Sequence, residues 1–225
     1  MKKVLISIIC SLILFTGCSN TKKDSSQIKI VKYENDKFSL DYTIVDEKNI
    51  IIEAINNGES FDYATINLAV YDKNNKLIDV EKQYLHKLNT KQKNVIKVVL
   101  NDLEDKKASK IEMSVKTGKY ENSIEESYIE KVEGKIEKTE TDGELKIDIL
   151  NNSGKTLDSL SAAVVFSKKG KIIDIYSLTA QNIEASYTEN VYIPLVTKND
   201  GSMSYIDYDD AKVIINYAIA YTEVK

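Results

Sequence analysis

The chain says one thing twice. Residues 70–80 read VYDKNNKLIDV and residues 165–175 read VFSKKGKIIDI, an offset of 95 positions. The match runs on in both directions without a gap: Ile52, Asn56, Asn57, Lys73 and Asp79 stand against Ile147, Asn151, Asn152, Lys168 and Asp174. Between the identities, apolar positions stay apolar, as with Tyr71 and Phe166 or Val80 and Ile175. A duplicated unit of about 95 residues is large enough to bury its own core. The chain is therefore expected to fold as two copies of one domain.

The period inside each copy is two. Leu145, Ile147 and Ile149 alternate with Lys146 and Asp148, and Ile50, Ile52 and Ala54 keep the same beat in copy one. Such alternation marks strands with one buried face. No segment after residue 20 carries a helical stripe of ten residues or more. Asp142-Gly143 is a hairpin signal because both residues tolerate positive φ, and KNNK (73–76) and KKGK (168–171) close a second hairpin in each copy. Short strands separated by such turns predict an all-β chain of two tandem antiparallel sandwiches. The polar stretch 117–131 places the boundary near residues 120–126.

The N terminus has a different grammar. Lys2 and Lys3 precede an apolar run from Val4 to Phe15, then small residues and Cys18. A basic start, about a dozen apolar residues and a small-residue end make a secretory signal, too short for a permanent span of roughly 20 residues. The ending FTGC resembles the lipobox of bacterial lipoproteins, with Thr16 and Gly17 before the acceptor Cys18. That resemblance implies a diacylglyceryl group on Cys18, cleavage just before it, and attachment of the mature chain to the cell membrane by lipid. Ser19–Lys32 reads as a flexible tether. The expected organisation is a signal peptide at 1–17, lipidated tether at 18–32, first sandwich at 33–120 and second at 127–225.

A second resemblance rests on the repeat. An apolar strand ending in Tyr-Asp, a Lys-flanked turn and a β-branched strand, preceded by Asn-Asn-Gly, resembles the FxLYD-type immunoglobulin-like domains of bacterial lipoproteins. Its motif falls on Leu68-Ala69-Val70-Tyr71-Asp72 and on Ala163-Val164-Val165-Phe166-Ser167, with Leu replacing the leading Phe in copy one. The resemblance implies immunoglobulin-like sandwiches and brings no catalytic residues with it.

Composition narrows the chemistry. Both cysteines, Cys10 and Cys18, lie in the leader or at its end, so the folded part has neither a disulfide framework nor a Cys-rich zinc site. His86 is the one histidine, without a serine-nucleophile motif near it, so no hydrolase site is expected. Charges of both signs are interspersed, so no basic stripe offers itself to nucleic acid or to an anionic membrane surface. The asparagine pairs 56–57 and 151–152 are expected to serve their turns, and Asp79 and Asp174 to lie on solvated faces. Tyr42, Tyr217 and Tyr221 are read as sheet-forming residues.

One segment of copy two has no counterpart in copy one: TKNDGSMSYIDYDDA, residues 197–211, with Asp200, Tyr205, Asp207, Tyr208, Asp209 and Asp210. Carboxylates and tyrosines on a projecting loop could anchor a protein partner or take Ca²⁺ through oxygen ligands. The acids lack the spacing of an EF-hand loop. The expected role is thus a non-enzymatic, lipid-anchored extracytoplasmic protein that binds an unidentified envelope partner, without cofactor, resident metal or nucleic acid. The alternative is a calcium-dependent surface module using the 197–211 loop.

Overall fold

Alternating apolar residues build strands here because one face of each can be buried against a second layer. The structure, a computed structural model, describes residues 28–31, 33–34, 37–46, 48–100, 108–120, 125–139, 143–199 and 202–221. The expected signal peptide at 1–17 and Cys18 lie outside the described residues, as does Asp200. Copy one contains β1 (Lys29–Val31), β2 (Tyr33–Glu34), β3 (Phe38–Ile44), β4 (Asn49–Asn56), β5 (Phe61–Asp72), β6 (Leu77–Leu88), β7 (Lys93–Val99) and β8 (Ala108–Gly118). Copy two contains β9 (Glu125–Ser127), β10 (Val132–Lys138), β11 (Glu144–Asn151), β12 (Leu157–Lys168), β13 (Lys171–Ile183), β14 (Thr188–Pro194), β15 (Val196–Asn199), β16 (Ser202–Tyr205) and β17 (Asp210–Tyr221). The described residues include no α-helix, only a 3₁₀ turn at Ile129–Lys131.

Each copy is a two-layer sandwich. In copy one the strand orders are β2-β3-β4-β7 and β1-β8-β5-β6; in copy two they are β10-β11-β14 and β13-β12-β17-β9. Leu40, Ile52 and Ala54 of one layer of copy one meet Ile66, Leu68 and Val70 of the other. Ile147 and Ile149 meet Leu160, Val164 and Phe166 in copy two. Each such side chain contributes roughly 1.5–3 kcal/mol on burial, so these two cores dominate the stability. Two edges of the expected organisation move. Lys29–Val31, assigned to the tether, pairs in parallel with β8, and Glu125–Ser127 joins copy two by pairing antiparallel with β17. A few backbone groups at each end find partners in the adjoining sheet, and that suffices to recruit a three-residue strand. On β9, the Tyr128 hydroxyl and the Lys155 ammonium hold the Glu126 carboxyl below the usual range.

The duplication holds at the level of single hydrogen bonds. Asn56 and Asn151 are fully buried. The Asn56 side-chain amide donates to the carbonyls of Glu59, Leu88 and Asn89, and that of Asn151 to Lys155, Ile183 and Glu184. Both side-chain oxygens accept a backbone N–H two residues on, from Gly58 and Ser153. The expected turn role is correct but incomplete, because each asparagine also pins its turn to the end of the third long strand. Lys87 and Asn182 share a positive φ (43° and 54°), as do Lys91 and Ser186 (61° and 59°), again 95 residues apart.

The gap-free alignment needs one correction. Val70 pairs with Asp79 on the neighbouring strand, and Phe166 pairs with Asp174. Val70 therefore corresponds to Phe166, not to Val165. Copy two has one extra residue in the turn before β12 and one fewer in the hairpin after it, so only this strand is offset by 96. A one-residue slip exchanges the faces of a strand, and it puts Val165 on the outside of its own sandwich.

Candidate functional site

The 197–211 segment, the first candidate, is largely committed to its own domain. Val196–Asn199 and Ser202–Tyr205 form an antiparallel hairpin, so half of the expected loop is sheet. The chain then folds back: the Ile206 amide donates to the Leu195 carbonyl and the Asp209 amide to the Ser167 carbonyl. Tyr208 is half-buried and meets Phe166 edge-on, with ring centroids 5.1 Å apart. Asp207 pairs with Lys168, and Asp209 accepts the Lys169 backbone N–H at 2.8 Å. Asp210 is exposed at the start of β17, and Tyr205 is 69 % exposed.

The reason for Asp209 lies in copy one. There Asp72 caps its own hairpin, accepting from the amides of Asn74 and Lys76 at 2.8 and 2.9 Å. Copy two has Lys168 at the equivalent position and a tighter turn with Lys169 and Gly170 both at positive φ (50° and 73°). Positive φ disfavours lysine, and the Asp209 carboxylate, from the segment just before β17, steadies that N–H instead. Among the described residues no three His, Cys, Asp or Glu side chains converge as a metal site.

A second candidate emerges where the copies meet. Ile51, Val95, Ala163, Val165 and Ile175 form a third apolar cluster, separate from the two sandwich cores. Ile51 and Val95 lie on the outer face of copy one, and the others on the outer face of copy two. Beside them Asn216 is buried. Its amide nitrogen donates to the Val95 carbonyl at 3.0 Å, and its side-chain oxygen accepts the Val95 N–H at 2.9 Å. Gln92 and Asn94 side chains donate to the Asn216 carbonyl at 2.5 and 2.9 Å. Asn216 thus pairs with an edge strand as a neighbouring strand would, covering groups that would otherwise face solvent.

Local sequence explains how Asn216 gets there. Ser161 pairs with Tyr217 and Ala162 with Ile215, so Asn216 is the extra residue of a β-bulge. Bulges re-aim side chains, and this one turns the amide toward copy one. Asp174, expected on a solvated face, accepts from the Lys97 ammonium at 2.7 Å across the same junction. His86 lies edge-on to Tyr217 at 5.5 Å, and the Asn89 amide donates to the Ser127 hydroxyl at 3.2 Å.

These contacts fix the arrangement of the copies. Asn89 lies at the end of copy one that holds Asn56, and Ser127 at the end of copy two that holds Asn151. Lys97 and Asp174 lie toward the opposite ends. The sandwiches are therefore side by side with like ends together. The signals in the sequence were the consecutive apolar residues Ile50–Ile52 within NIIIEA (49–54) and Ala162–Phe166 within SAAVVF (161–166), since strands buried on both faces lose alternation.

No protein-family model and no curated protein matches this chain. Among solved structures it is similar to the C-terminal globular domain of oligosaccharyltransferase from Pyrococcus abyssi, with 12 % identity and a TM-score of 0.25. The match covers 84 % of this chain and 48 % of that one, so the chain spans about half the length of that structure. A likeness this slight carries no argument about fold or activity.

Proposed function

We propose that this chain is a lipid-anchored, non-enzymatic extracytoplasmic protein whose paired immunoglobulin-like sandwiches present a fixed surface to a partner at the cell envelope. The observation that carries the reading is the junction around Asn216. It spends a bulge, three buried polar side chains and an apolar cluster on holding two copies in one orientation. Preorganisation of that kind lowers the ordering cost of binding. The leader ending in FTGC supplies the anchor in this reading, through Cys18.

The anchor is tested by feeding cells an alkyne-tagged fatty acid and comparing the natural chain with Cys18→Ser. Label on the natural chain alone is the expected result, and equal label on both would sink the anchor. For the partner, the anchored chain is cross-linked in its own cells and recovered beside a variant carrying Asp207→Asn, Asp209→Asn and Asp210→Asn. Recovery of the same envelope protein by both variants is expected, because two of these acids serve the 168–171 turn. Loss of capture in a folded variant would return the loop to candidacy.

A further inference from the structure

We propose that Asn57-Gly58 is a site of spontaneous covalent modification, where Asn57 converts to aspartate and isoaspartate at a rate set by the opening of its turn. The proposal is independent of the anchored reading above. Asn57-Gly58 is the one Asn-Gly pair in the chain, and Asn57 is exposed in the turn between β4 and β5. The chemistry needs only the chain and water. The Gly58 backbone nitrogen, once it has lost its proton, attacks the carbonyl carbon of the Asn57 side chain. A new C–N bond closes a five-membered imide, the bond to the side-chain nitrogen breaks, and ammonia leaves. Water then opens the ring. Attack at the side-chain carbon gives aspartate, whereas attack at the main-chain carbon gives isoaspartate, with one extra carbon in the backbone. Glycine favours the step because it has no Cβ to crowd the nitrogen and turns freely.

The fold accounts for the glycine and also holds the reaction in check. A Cβ at residue 58 would lie 3.1 Å from the Lys37 Cβ, so the close approach of Lys37 favours glycine there. In copy two the matching pair is Asn152-Ser153. Both reacting groups of copy one are engaged in the folded chain. The Gly58 N–H donates to the Asn56 side-chain oxygen at 3.0 Å and to the Lys37 carbonyl at 3.1 Å. The Asn57 N–H donates to the same carbonyl at 2.8 Å, and the Asn57 side-chain amide donates to the Ser39 hydroxyl at 3.3 Å. The nitrogen keeps its proton while it donates, and the carboxamide is drawn toward β3. Reaction therefore passes through an opened turn, and its rate is the intrinsic one scaled by the open fraction. Asn56 is the latch, because the same side chain also ties the turn to the carbonyls of Glu59, Leu88 and Asn89. The extra carbon of isoaspartate falls one residue after that latch, so the modified turn no longer fits it. Asn151 latches copy two in the same way, but without the glycine the chemistry there is slow.

The test follows residue 57 by peptide mass spectrometry. The natural chain is held in neutral buffer made with heavy-oxygen water, either folded or in urea, then digested, and aspartate and isoaspartate peptides are separated by chromatography. In urea, Asn57 is expected to take up one solvent oxygen and yield isoaspartate, well ahead of Asn152. In the folded chain the conversion should be at least about tenfold slower, because several hydrogen bonds must open first. Gly58→Ala should slow the reaction in urea toward the Asn152 rate, a readout that does not depend on folding. Asn56→Ala should speed it in buffer at least about threefold. Ser39→Ala, a milder release of the Asn57 side chain, should act in the same direction. Asn151→Ala, which frees the matching turn of copy two, should leave residue 57 unchanged. Equal rates at Asn57 in buffer and in urea, equal rates at Asn57 and Asn152 in urea, or indifference to both Asn56→Ala and Ser39→Ala overturns the proposal.

Discussion

The two copies share a core and differ on their outsides. Ile51 and Val95 of copy one have Lys146 and Asn190 as counterparts; Val165 and Ile175 of copy two have Ala69 and Val80. The first member of each pair is buried at the junction, whereas Asn190 and Val80 are exposed. Interior residues are thus set by the sandwich and repeat every 95 or 96 positions. Outer residues are set by whether another copy covers them.

Four sets of substitutions can break or sharpen that comparison. Val165→Lys places a charge in the junction and should destabilise by about 3 kcal/mol or more, whereas Ala69→Lys, on the solvent side of the same strand in copy one, should stay within about 0.5 kcal/mol. Urea midpoints decide, and equal losses would mean that Val165 is not covered. Asn56→Ala and Asn151→Ala should each cost about 2–3 kcal/mol, since each strands several buried carbonyls. A large loss in only one copy would show that the two pins are not equivalent.

Asn216→Ala should cost about 2 kcal/mol by orphaning the Val95 peptide groups. No matching change exists in copy one, which has no bulge there. Nuclear magnetic resonance spectra of this variant should shift chiefly along the junction, and shifts confined to the core of copy two would contradict the assignment. Smallest of all, Asp209→Ala and Asp72→Ala should each cost about 1 kcal/mol, as the loss of a turn cap does. Millimolar Ca²⁺ should leave the melting temperature of the natural chain unchanged. A rise with Ca²⁺, abolished by Asp209→Ala, would restore the calcium reading through mass action.

How much of this the sequence could disclose follows from what each residue answers to. Alternation at Ile50, Ile52 and Ala54 or at Leu145, Ile147 and Ile149 reports a local periodicity, and the strands lie where it predicts. The asparagines at 56 and 151 were readable as turn residues, but their bonds to Leu88, Asn89, Ile183 and Glu184 depend on a strand 32 residues on. Asp209 looked like a ligand because its real partner, the Lys169 amide, is 40 positions away. Asn216 was invisible as a site, since a polar residue within VIINYAIA has no meaning until the bulge and the facing strand are known. Even so, the runs NIIIEA and SAAVVF carried the message that a second layer covers those strands.

Side-by-side clamping of the copies is best judged at a single backbone amide. In the tandem, the Val95 N–H points away from its own sheet into the Asn216 side chain, while its counterpart at Asn190 has no such cover. Hydrogen exchange followed by nuclear magnetic resonance should find Val95 protected to a degree typical of interior strands and Asn190 exchanging as a solvent-facing edge does. Rapid exchange at both positions would mean that the copies are not clamped.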